Sequence, residues 1–229
     1  PSRTADAKRL LDRCLELILA SEPSLPRSLP YAAEVAALCA LEAERAGESQ
    51  RAREVLEIGL RRFVPTPNLH YLTASLANAD GDSETAILHY RRCMAYRGRA
   101  LVVPIQDGIT SYVSLTGIAQ AWLHRGDRAR AKRLLEQVTA IEPSYEVAFL
   151  LMSRIYLEAQ EFQPALNVLT DFLADHPDSP GACQQAMLIL HRIGQKEAAR
   201  KIGKHAVRLL EARCLERQAS ELNEILIKI

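Results

Sequence analysis

The sequence predicts an all-α protein in which one helical hairpin is copied and stacked along the chain. Turn residues recur at an interval of 34 residues, broken once, and an alanine follows each of them by five positions. Apolar residues recur at three and four positions, whereas strand-like alternation is absent over any useful length. A fixed period of this length is typical of stacked helical repeats, which usually present a binding surface. The turn residues are Gly47, Gly81, Gly126, Gln160 and Gly194, and the alanines are Ala52, Ala86, Ala131, Ala165 and Ala199.

Turn signals divide the chain into its helices. A glycine followed by Asp, Glu or Gln marks the turn inside a repeat, whereas Glu-Pro-Ser at Glu142 and His-Pro-Asp at His176 mark turns between repeats. The expected elements are a helix at about Thr4–Ala20, hairpins at about Tyr31–Phe63, Asn68–Arg97, Ser111–Ile141, Ser144–Asp175 and Pro180–Leu210, and a terminal helical stretch to Ile229. We expect a single repeat domain over 1–229, with repeats at 31–65, 67–100, 112–145, 146–179 and 180–211, a terminal helix at 212–229 and an insertion at 101–111.

The composition excludes several classes of protein. Hydrophobic residues make up 48% of the 229 residues, enough for a sizeable core, so the chain is not a disordered tail. The formal net charge of +1 gives no overall field that would attract nucleic acid, and the longest apolar runs are too short for a membrane span. The five cysteines contain no C-x-x-C pair, which favours a reducing, cytoplasmic compartment. Because the sequence begins at Pro1 rather than methionine, we expect it to be part of a longer chain.

No motif for catalysis, metal binding or cofactor binding occurs in the sequence. The six histidines form no H-E-x-x-H pattern and no cysteine–histidine cluster. His89, His176 and His205 are therefore expected at the surface or partly buried. The patterns G-x-x-x-x-G-K, G-x-G-x-x-G and G-x-S-x-G are absent as well. We expect no enzymatic activity, no catalytic residue, no metal and no cofactor.

Two neighbouring hairpins share one pattern of large and small residues. A small residue, Ala119 or Ser153, stands where two helices cross and their backbones approach, and larger apolar residues beside it fill the gap. This pattern resembles the tetratricopeptide repeat, a family of 34-residue helix-turn-helix units. The resemblance implies a right-handed α-solenoid of stacked hairpins. The matching residues are Leu115, Ile118, Ala119, Trp122, Ala131, Leu135 and Pro143, then Phe149, Met152, Ser153, Tyr156, Ala165, Leu169, Phe172 and Pro177.

Other positions depart from the family pattern. Gly203 replaces the aromatic residue that is usual in the second helix, and Ala36, His70 and Cys183 replace the one that is usual in the first. The N-terminal helix resembles a second helix whose first-helix partner is missing, and this also suggests that the array or another domain continues upstream. The positions expected to face inward are Ala7, Leu11 and Cys14 in that helix, together with Cys39 and Cys93.

The resemblance implies that the first helices of the hairpins line a concave groove for a peptide or protein partner. Amide side chains there can bond a peptide main chain because they donate and accept, although single exposed polar residues are equally often just solvated. Arg154 with Gln120 is one candidate holder of a carboxylate. The clamp of chaperone-binding members is missing, since Ala37, Leu41, Val113 and Gly117 occupy its positions. The candidate groove residues are Asn68, Tyr71, Ser75, Asn78, Thr116, Gln120, His124, Arg154, Gln184, Gln185 and His191, with Glu34 beside them.

Two apolar segments are expected to be shielded from solvent by other parts of the chain or by a partner. The insertion carries Leu101, Val102, Val103 and Ile105, whereas loops are normally polar; it is expected to lengthen the helices beside it, fold into the groove or dock on another subunit. The C-terminal stripe is expected to pack on the last repeat or on a second copy, as a homodimer. Its residues are Leu215, Leu222, Ile225, Leu226 and Ile229.

The sequence leaves three functions open. The first is a protein-interaction scaffold that binds a peptide or protein partner in the groove. The second is the non-catalytic C-terminal region of a larger enzyme, serving dimerisation or the docking of a substrate protein, because residues 108–126 resemble the repeat tails of bacterial family 2 glycosyltransferases. The third is a helical transcription or signalling regulator, which only the fold favours.

Overall fold

The computed structural model describes residues 3–21 and 31–228, and within these ranges it contains twelve α-helices and no strand. The all-α prediction is confirmed. Contacts divide the chain into two compact units, Pro1–Asp127 (unit 1) and Arg128–Ile229 (unit 2). Most of the proline-rich break at 22–32 lies outside the described residues. The helices are α1 (Arg3–Ala20), α2 (Ala32–Arg45), α3 (Ser49–Arg62), α4 (Pro67–Ala79), α5 (Ser83–Met94), α6 (Tyr112–His124), α7 (Arg128–Ile141), α8 (Glu146–Glu158), α9 (Phe162–Asp175), α10 (Pro180–Arg192), α11 (Lys196–Ala212) and α12 (Glu216–Lys228).

The 34-residue period marks turns that share one backbone conformation. Each turn residue lies in the left-handed region, for example Gly47 at φ 76° and Gln160 at φ 62°. The N–H of the following residue then bonds the carbonyl five residues earlier, as Glu48 does to Ala43 at 2.8 Å. This arrangement ends one helix and reverses the chain within three residues, which explains why glycine recurs there.

A sixth turn of the same kind separates α11 from α12. Cys214 takes the left-handed conformation at φ 56°, and the N–H of Leu215 bonds the carbonyl of Leu210 at 3.0 Å. The sequence gives no sign of this turn, because neither glycine nor proline follows Gly203. The terminal helix α12 therefore begins at Glu216 and occupies the place of a first helix after α11.

The core of unit 1 forms where small residues let helices approach. A Cβ added to Gly59 of α3 would lie 3.0 Å from the Cδ1 of Leu69 and 3.2 Å from the Cβ of Ala36. Gly59 thus brings α3 close to both α2 and α4. The crossing-point residues Ala119, in unit 1, and Ser153, in unit 2, are completely buried, as the sequence predicted.

The N-terminal helix α1 packs on α2 through a different face from the one expected. Leu15 is buried, and Leu11 and Ile18 pack beside it against the core of unit 1. Cys14 is exposed, so its predicted inward position is wrong: the inward residues 11, 15 and 18 are spaced by four and three, and position 14 falls beside that row. The side chain of Ala7 lies outside the described residues. Cys39 and Cys93 are buried, as predicted.

The insertion in unit 1 folds onto its own unit. Helix α5 ends at Met94 and α6 begins at Tyr112, so neither helix is lengthened into residues 101–111. Val103 and Ile109 are buried, and the Ile109 carbonyl accepts hydrogen bonds from the Cys93 thiol and the Ser114 hydroxyl. The chain itself therefore covers part of this apolar segment.

The C-terminal helix packs on the last hairpin of unit 2. Ala219 and Leu222 are buried there, and Ile225 and Leu226 pack against the same core. Gly203 of α11 has no room for a side chain, because a Cβ would overlap Leu226 and lie 2.6 Å from the sulfur of Met187. This contact explains why glycine replaces the usual aromatic residue. Of the stripe predicted from the sequence, Leu215 is exposed and Ile229 lies outside the described residues.

Candidate peptide-binding site

The first-helix face of unit 1 carries much of the predicted groove, and its polar side chains bond one another. The Asn68 amide on α4 donates to a carboxylate oxygen of Glu34 on α2 at 2.8 Å. The same amide nitrogen donates to the main-chain carbonyl of Pro104 at 3.1 Å. The insertion therefore lies against the start of α4, on the face where a partner was expected.

The remaining polar residues of this face are similarly engaged. Asn78 is buried and donates to the side-chain carbonyl of Gln120 on α6 at 3.2 Å. Thr116 is also buried, and its hydroxyl donates to the carbonyl of Tyr112 within its own helix. The half-buried Tyr71 ring lies 5.9 Å from the Tyr90 ring, and burial raises the pKa of the Tyr71 phenol. Of the other predicted residues of unit 1, Ser75 is half-buried and His124 is exposed.

Unit 2 contains an open cavity of about 570 Å³ between the first helices α8 and α10. It brings together three of the predicted groove residues, Arg154, Gln184 and Gln185, with leucines that sequence reasoning did not select. His191 is half-buried and does not line the cavity. The lining residues are Leu150, Leu151, Arg154 and Leu157 of α8, and Gly181, Gln184, Gln185, Leu188, Ile189 and Arg192 of α10.

The apolar part of this cavity is incompletely covered. Leu188 is 45% exposed, whereas Leu151 and Ile189 beside it are buried and join the cavity to the core. Gly181 contributes to the opening, since a side chain there would meet the Glu146 carboxylate. That carboxylate is held in place by the Ser179 hydroxyl at 2.7 Å and the Ala182 N–H at 3.1 Å. The Glu146 carboxylate is thus anchored at the end of the cavity where Gly181 lies.

Cavity residues that were not predicted from the sequence also follow the 34-residue register. Leu188 stands one period after Arg154, and Arg192 stands one period after Glu158. Leu157 lies three residues after Arg154, on the same face of α8. The signal was present in the sequence, but leucines at these positions are typical of buried packing as well.

The charged groups at the cavity are arginines. No aspartate or glutamate is among its lining residues. The guanidinium of Arg154 lies 3.8 Å from Glu158, and the second oxygen of that carboxylate lies 3.3 Å from Arg128. The Arg192 guanidinium lies over the Phe162 ring, 5.3 Å from its centre. One shared carboxylate therefore faces two guanidinium groups, and Arg192 adds a third positive charge.

The predicted pairing of Arg154 with Gln120 combines residues of different units. Within unit 1, the Gln120 side-chain carbonyl accepts from Asn78. Within unit 2, Gln185 donates to the main-chain carbonyl of Leu150 at 3.2 Å, which fixes its position in the wall of the cavity. Arg154 and the two glutamines form the polar edge of this cavity together with Arg192.

A second cavity, of about 270 Å³, lies in unit 1 beside the second helix α3. Its arginine is already neutralised, because the Arg53 guanidinium donates to both carboxylate oxygens of Asp80. Glu57 and Asp82 line it as well. None of the predicted groove residues contributes to this cavity, and its single arginine is outnumbered by three acidic lining residues.

Two histidines form a buried pair that the sequence did not reveal. The Nδ1 atoms of His70 and His89 lie 3.2 Å apart, and both side chains are buried. Burial, with smaller contributions from His89 and Arg92, lowers the pKa of His70 to about 4, and the pKa of His89 is lowered as well. His89 is thus more deeply buried than expected. In residues 3–21 and 31–228, no three histidine, cysteine or acidic side chains are placed to hold a metal ion.

The buried cysteines are not poised for reaction. Burial raises the pKa of Cys39, Cys93 and Cys183 to about 11 in each case, so these thiols stay protonated near neutral pH. In the part of the chain that the structure describes, no helix has the length and apolar character needed to cross a membrane.

Comparison with known proteins supports the tetratricopeptide resemblance and not the glycosyltransferase one. Residues 123–187 match the model of a tetratricopeptide repeat family. No relative was found among curated proteins. This result leaves the family match as the sequence-based support for the resemblance.

Solved structures of similar fold include proteins described as tetratricopeptide-repeat proteins, all of low sequence identity. A thermophilic TPR protein from Thermus thermophilus is 15% identical over 86% of this chain and 100% of its own, with a TM-score of 0.64. A tetratricopeptide repeat protein from Parabacteroides merdae is 10% identical over 98% of this chain and 86% of its own, with a TM-score of 0.63. Pseudomonas aeruginosa pilF is 13% identical over 86% and 90%, with a TM-score of 0.58. Residues 123–187 therefore match a tetratricopeptide repeat model by sequence, and the chain has an all-α repeat fold similar to that of these solved structures.

Proposed function

We propose that this protein is a protein-interaction scaffold that binds a peptide segment of its partner in the cavity between α8 and α10. The observation that carries the proposal is the half-exposed Leu188 beside an open, largely apolar cavity of about 570 Å³. Concave apolar sites with a few polar groups at the edge are typical of binding sites, and this volume lies in their usual range. Arg154, Gln184 and Gln185 are the predicted groove residues that we assign to this contact.

The lining chemistry favours binding over catalysis. The side chains around the cavity are leucine, isoleucine, glutamine and arginine, and none of them is a common nucleophile or general base. Glutamine amides and arginine guanidinium groups instead supply hydrogen bonds that orient a peptide. We therefore infer a non-catalytic role for this site.

We assign the polar residues of unit 1 to a different task. Asn68, Asn78, Thr116 and Gln120 make hydrogen bonds within that unit, so a ligand would have to break these bonds to use them. In our proposal they organise unit 1, with Tyr71 packed beside them, and the partner engages α8 and α10. The five unpaired cysteines support a reducing, cytoplasmic location.

We propose, second, a homodimer through α12. Leu222 is buried and Leu226 packs within the same chain, so most of the apolar stripe is already covered. Leu215 of the stripe and Ile227, which lies outside it, are the exposed large apolar residues of the described part of 215–228. They are the candidates for contact with a second copy. Light scattering over a range of protein concentrations measures this directly, and a monomer at all concentrations contradicts it.

Selection from a random peptide library tests the proposed binding site. Phage-displayed 12-residue peptides are panned, separately, against the wild-type chain and the variant Leu188→Asp. We expect peptides that enrich on the wild type and lose binding to the variant, because a carboxylate in the apolar wall opposes insertion of an apolar side chain. Leu88→Asp is the matched control, since Leu88 is a similarly exposed leucine on α5 of unit 1.

The outcome distinguishes binding at a specific site from non-specific binding. Peptides that bind Leu88→Asp as well as wild type but not Leu188→Asp support the cavity. Peptides that bind all three proteins equally, or no enrichment at all, contradict the proposed function. Circular dichroism and thermal unfolding of both variants establish that each is folded before panning.

A further inference from the structure

We propose that the α8–α10 cavity selects acidic segments, in which one large apolar side chain enters between Leu150, Leu157 and Leu188 while neighbouring carboxylates contact Arg154 and Arg192. This inference rests on the proposed function and adds the chemistry of the partner. It is carried by the distribution of charge and apolar surface around the cavity.

The apolar anchor follows from the leucines. Leu150, Leu157 and Leu188 line the cavity, and Leu188 is 45% exposed although it lies beside the buried Ile189. An inserted leucine, isoleucine or aromatic side chain would remove this surface from water. Burial of such a side chain is the main favourable contribution expected from an apolar site of this kind.

The preference for carboxylates follows from an excess of positive charge. Arg154 and Arg192 line the cavity from its two helices, and no acidic residue lines it. The nearby Glu158 neutralises them only in part, since its single carboxylate is shared between Arg154 and Arg128. The Glu146 carboxylate beside Gly181 already accepts hydrogen bonds from Ser179 and Ala182. Apolar walls reduce screening of these charges, so a carboxylate at the edge is favoured and an ammonium group is disfavoured.

The preference is local rather than a property of the whole chain. The formal net charge is only +1, so the protein has no general attraction to acidic molecules. The unit 1 cavity provides an internal contrast, because its Arg53 is paired with Asp80. An acidic peptide should therefore bind at α8–α10 and not at other arginines of the surface.

Panning supplies the first test. Twelve-residue random peptides selected on the wild-type chain should contain Asp or Glu within three positions of a leucine, isoleucine or aromatic residue. One enriched peptide is then synthesised with fluorescein for anisotropy measurements. Its affinity should fall when salt is raised from about 50 to about 200 mM, because the carboxylate contacts are partly screened.

Variants then test the two arginines. Arg154→Gln or Arg192→Gln alone should weaken the acidic peptide about three- to fivefold, as expected for an exposed ion pair. The double variant Arg154→Glu with Arg192→Glu should weaken it on the order of 30-fold and should enrich peptides with Lys or Arg in place of the acids. Arg200→Glu is the matched control, because Arg200 is exposed on α11 away from the cavity lining.

The results distinguish this inference from the proposed function. Acidic consensus peptides whose preference reverses in the double variant support it. Enriched peptides that are basic or uncharged, or an acidic preference that survives the double variant, overturn the inference while leaving peptide binding intact. Failure of any peptide to distinguish wild type from Leu188→Asp overturns both. Unchanged thermal unfolding of the arginine variants excludes misfolding, since both side chains are exposed.

Discussion

The side-chain amide of Asn68 holds the main-chain carbonyl of Pro104 at 3.1 Å, so a first helix of unit 1 binds the chain's own inserted segment. Val103, the residue before this proline, is buried. The inserted segment thus occupies the kind of face that a partner peptide would use. This arrangement accounts for the burial of Val103, whereas Val102 stays 68% exposed.

Loss of this hydrogen bond should loosen the insertion. We expect Asn68→Ala to increase tryptic cleavage at the exposed Arg99 and to accelerate hydrogen exchange over 101–106. The loss of stability should be about 1 kcal/mol for each of the two hydrogen bonds that the amide makes, to Pro104 and to Glu34. The control is Asn167→Ala, which removes an exposed amide of α9 in unit 2. Equal cleavage rates at Arg99 in wild type and Asn68→Ala would show that other contacts hold the segment.

The buried histidine pair should make unit 1 less stable in mild acid. One ring nitrogen of the pair must donate and the other accept across 3.2 Å, so protonation of both rings would place two N–H groups against each other. The pKa of His70 is lowered from 6.5 to about 4, so the unfolded chain binds a proton at pH values where the folded chain does not. Stability is therefore complete above about pH 6.5 and declines as the pH falls toward 4.

Urea unfolding at pH values from about 4.5 to 7.5 measures this effect, which is at most about 1.4 kcal/mol per pH unit for one group. His70→Gln should unfold with a shallower dependence on pH than the wild type over that range. His124→Gln is the control, because it removes an exposed histidine of the same unit. If the free energy of unfolding varied with pH equally in wild type and in His70→Gln, the buried histidine pair would not be the cause of the acid sensitivity.

A side chain at Gly117 should disturb the packing of α5 on α6. A Cβ at Gly117 would overlap the ring of Tyr90, which is buried. We expect Gly117→Ala to lower stability by about 1–3 kcal/mol, as overpacking usually does, even though alanine is the better helix former. Thermal unfolding gives the size of the loss.

A double-mutant cycle identifies the cause of that loss. Tyr90→Leu removes the ring, so Gly117→Ala should cost much less in that background than in the wild type. Tyr90→Phe keeps the ring and serves as the control in which the cost persists. An equal cost in all three backgrounds would place the strain elsewhere.

Sequence reasoning predicted the architecture because the turns impose a visible constraint. A left-handed residue is required once per hairpin, glycine meets this requirement most easily, and the 34-residue period follows. Gln160 shows that the period survives one replacement when its neighbours keep the register. The turn at Cys214 was not predicted, since it is a non-glycine residue that stands 20 positions after Gly194 rather than 34.

The cavity between α8 and α10 was harder to predict than the fold. Periodicity placed Arg154, Gln184 and Gln185 on the first-helix face, but it could not show that Leu150 and Leu188 remain uncovered. In a helix that is apolar on most sides, the exposure of a leucine depends on how closely the neighbouring helix packs. The packing of α8 against α10 involves Gly181 and the Glu146 carboxylate, whose contact is not visible in the sequence. Likewise, the amides of unit 1 were recognised as hydrogen-bonding groups, whereas their partners Glu34 and Pro104 emerge only from tertiary contacts.

The turn at Cys214 should be improved by glycine. Cys214 has φ 56°, a conformation that costs a residue with a side chain about 1–2 kcal/mol, whereas glycine adopts it freely. Part of this stabilisation is offset, because glycine also gives the unfolded chain more conformational freedom. We expect Cys214→Gly to raise the free energy of unfolding by about 0.5 kcal/mol, measured by urea denaturation under reducing conditions. Cys14→Gly is the matched control, since Cys14 is an exposed cysteine inside α1, where glycine should instead destabilise the helix by about 1 kcal/mol. A loss of stability in Cys214→Gly would contradict this prediction and would mean that the Cys214 side chain makes a contact worth more than the backbone strain.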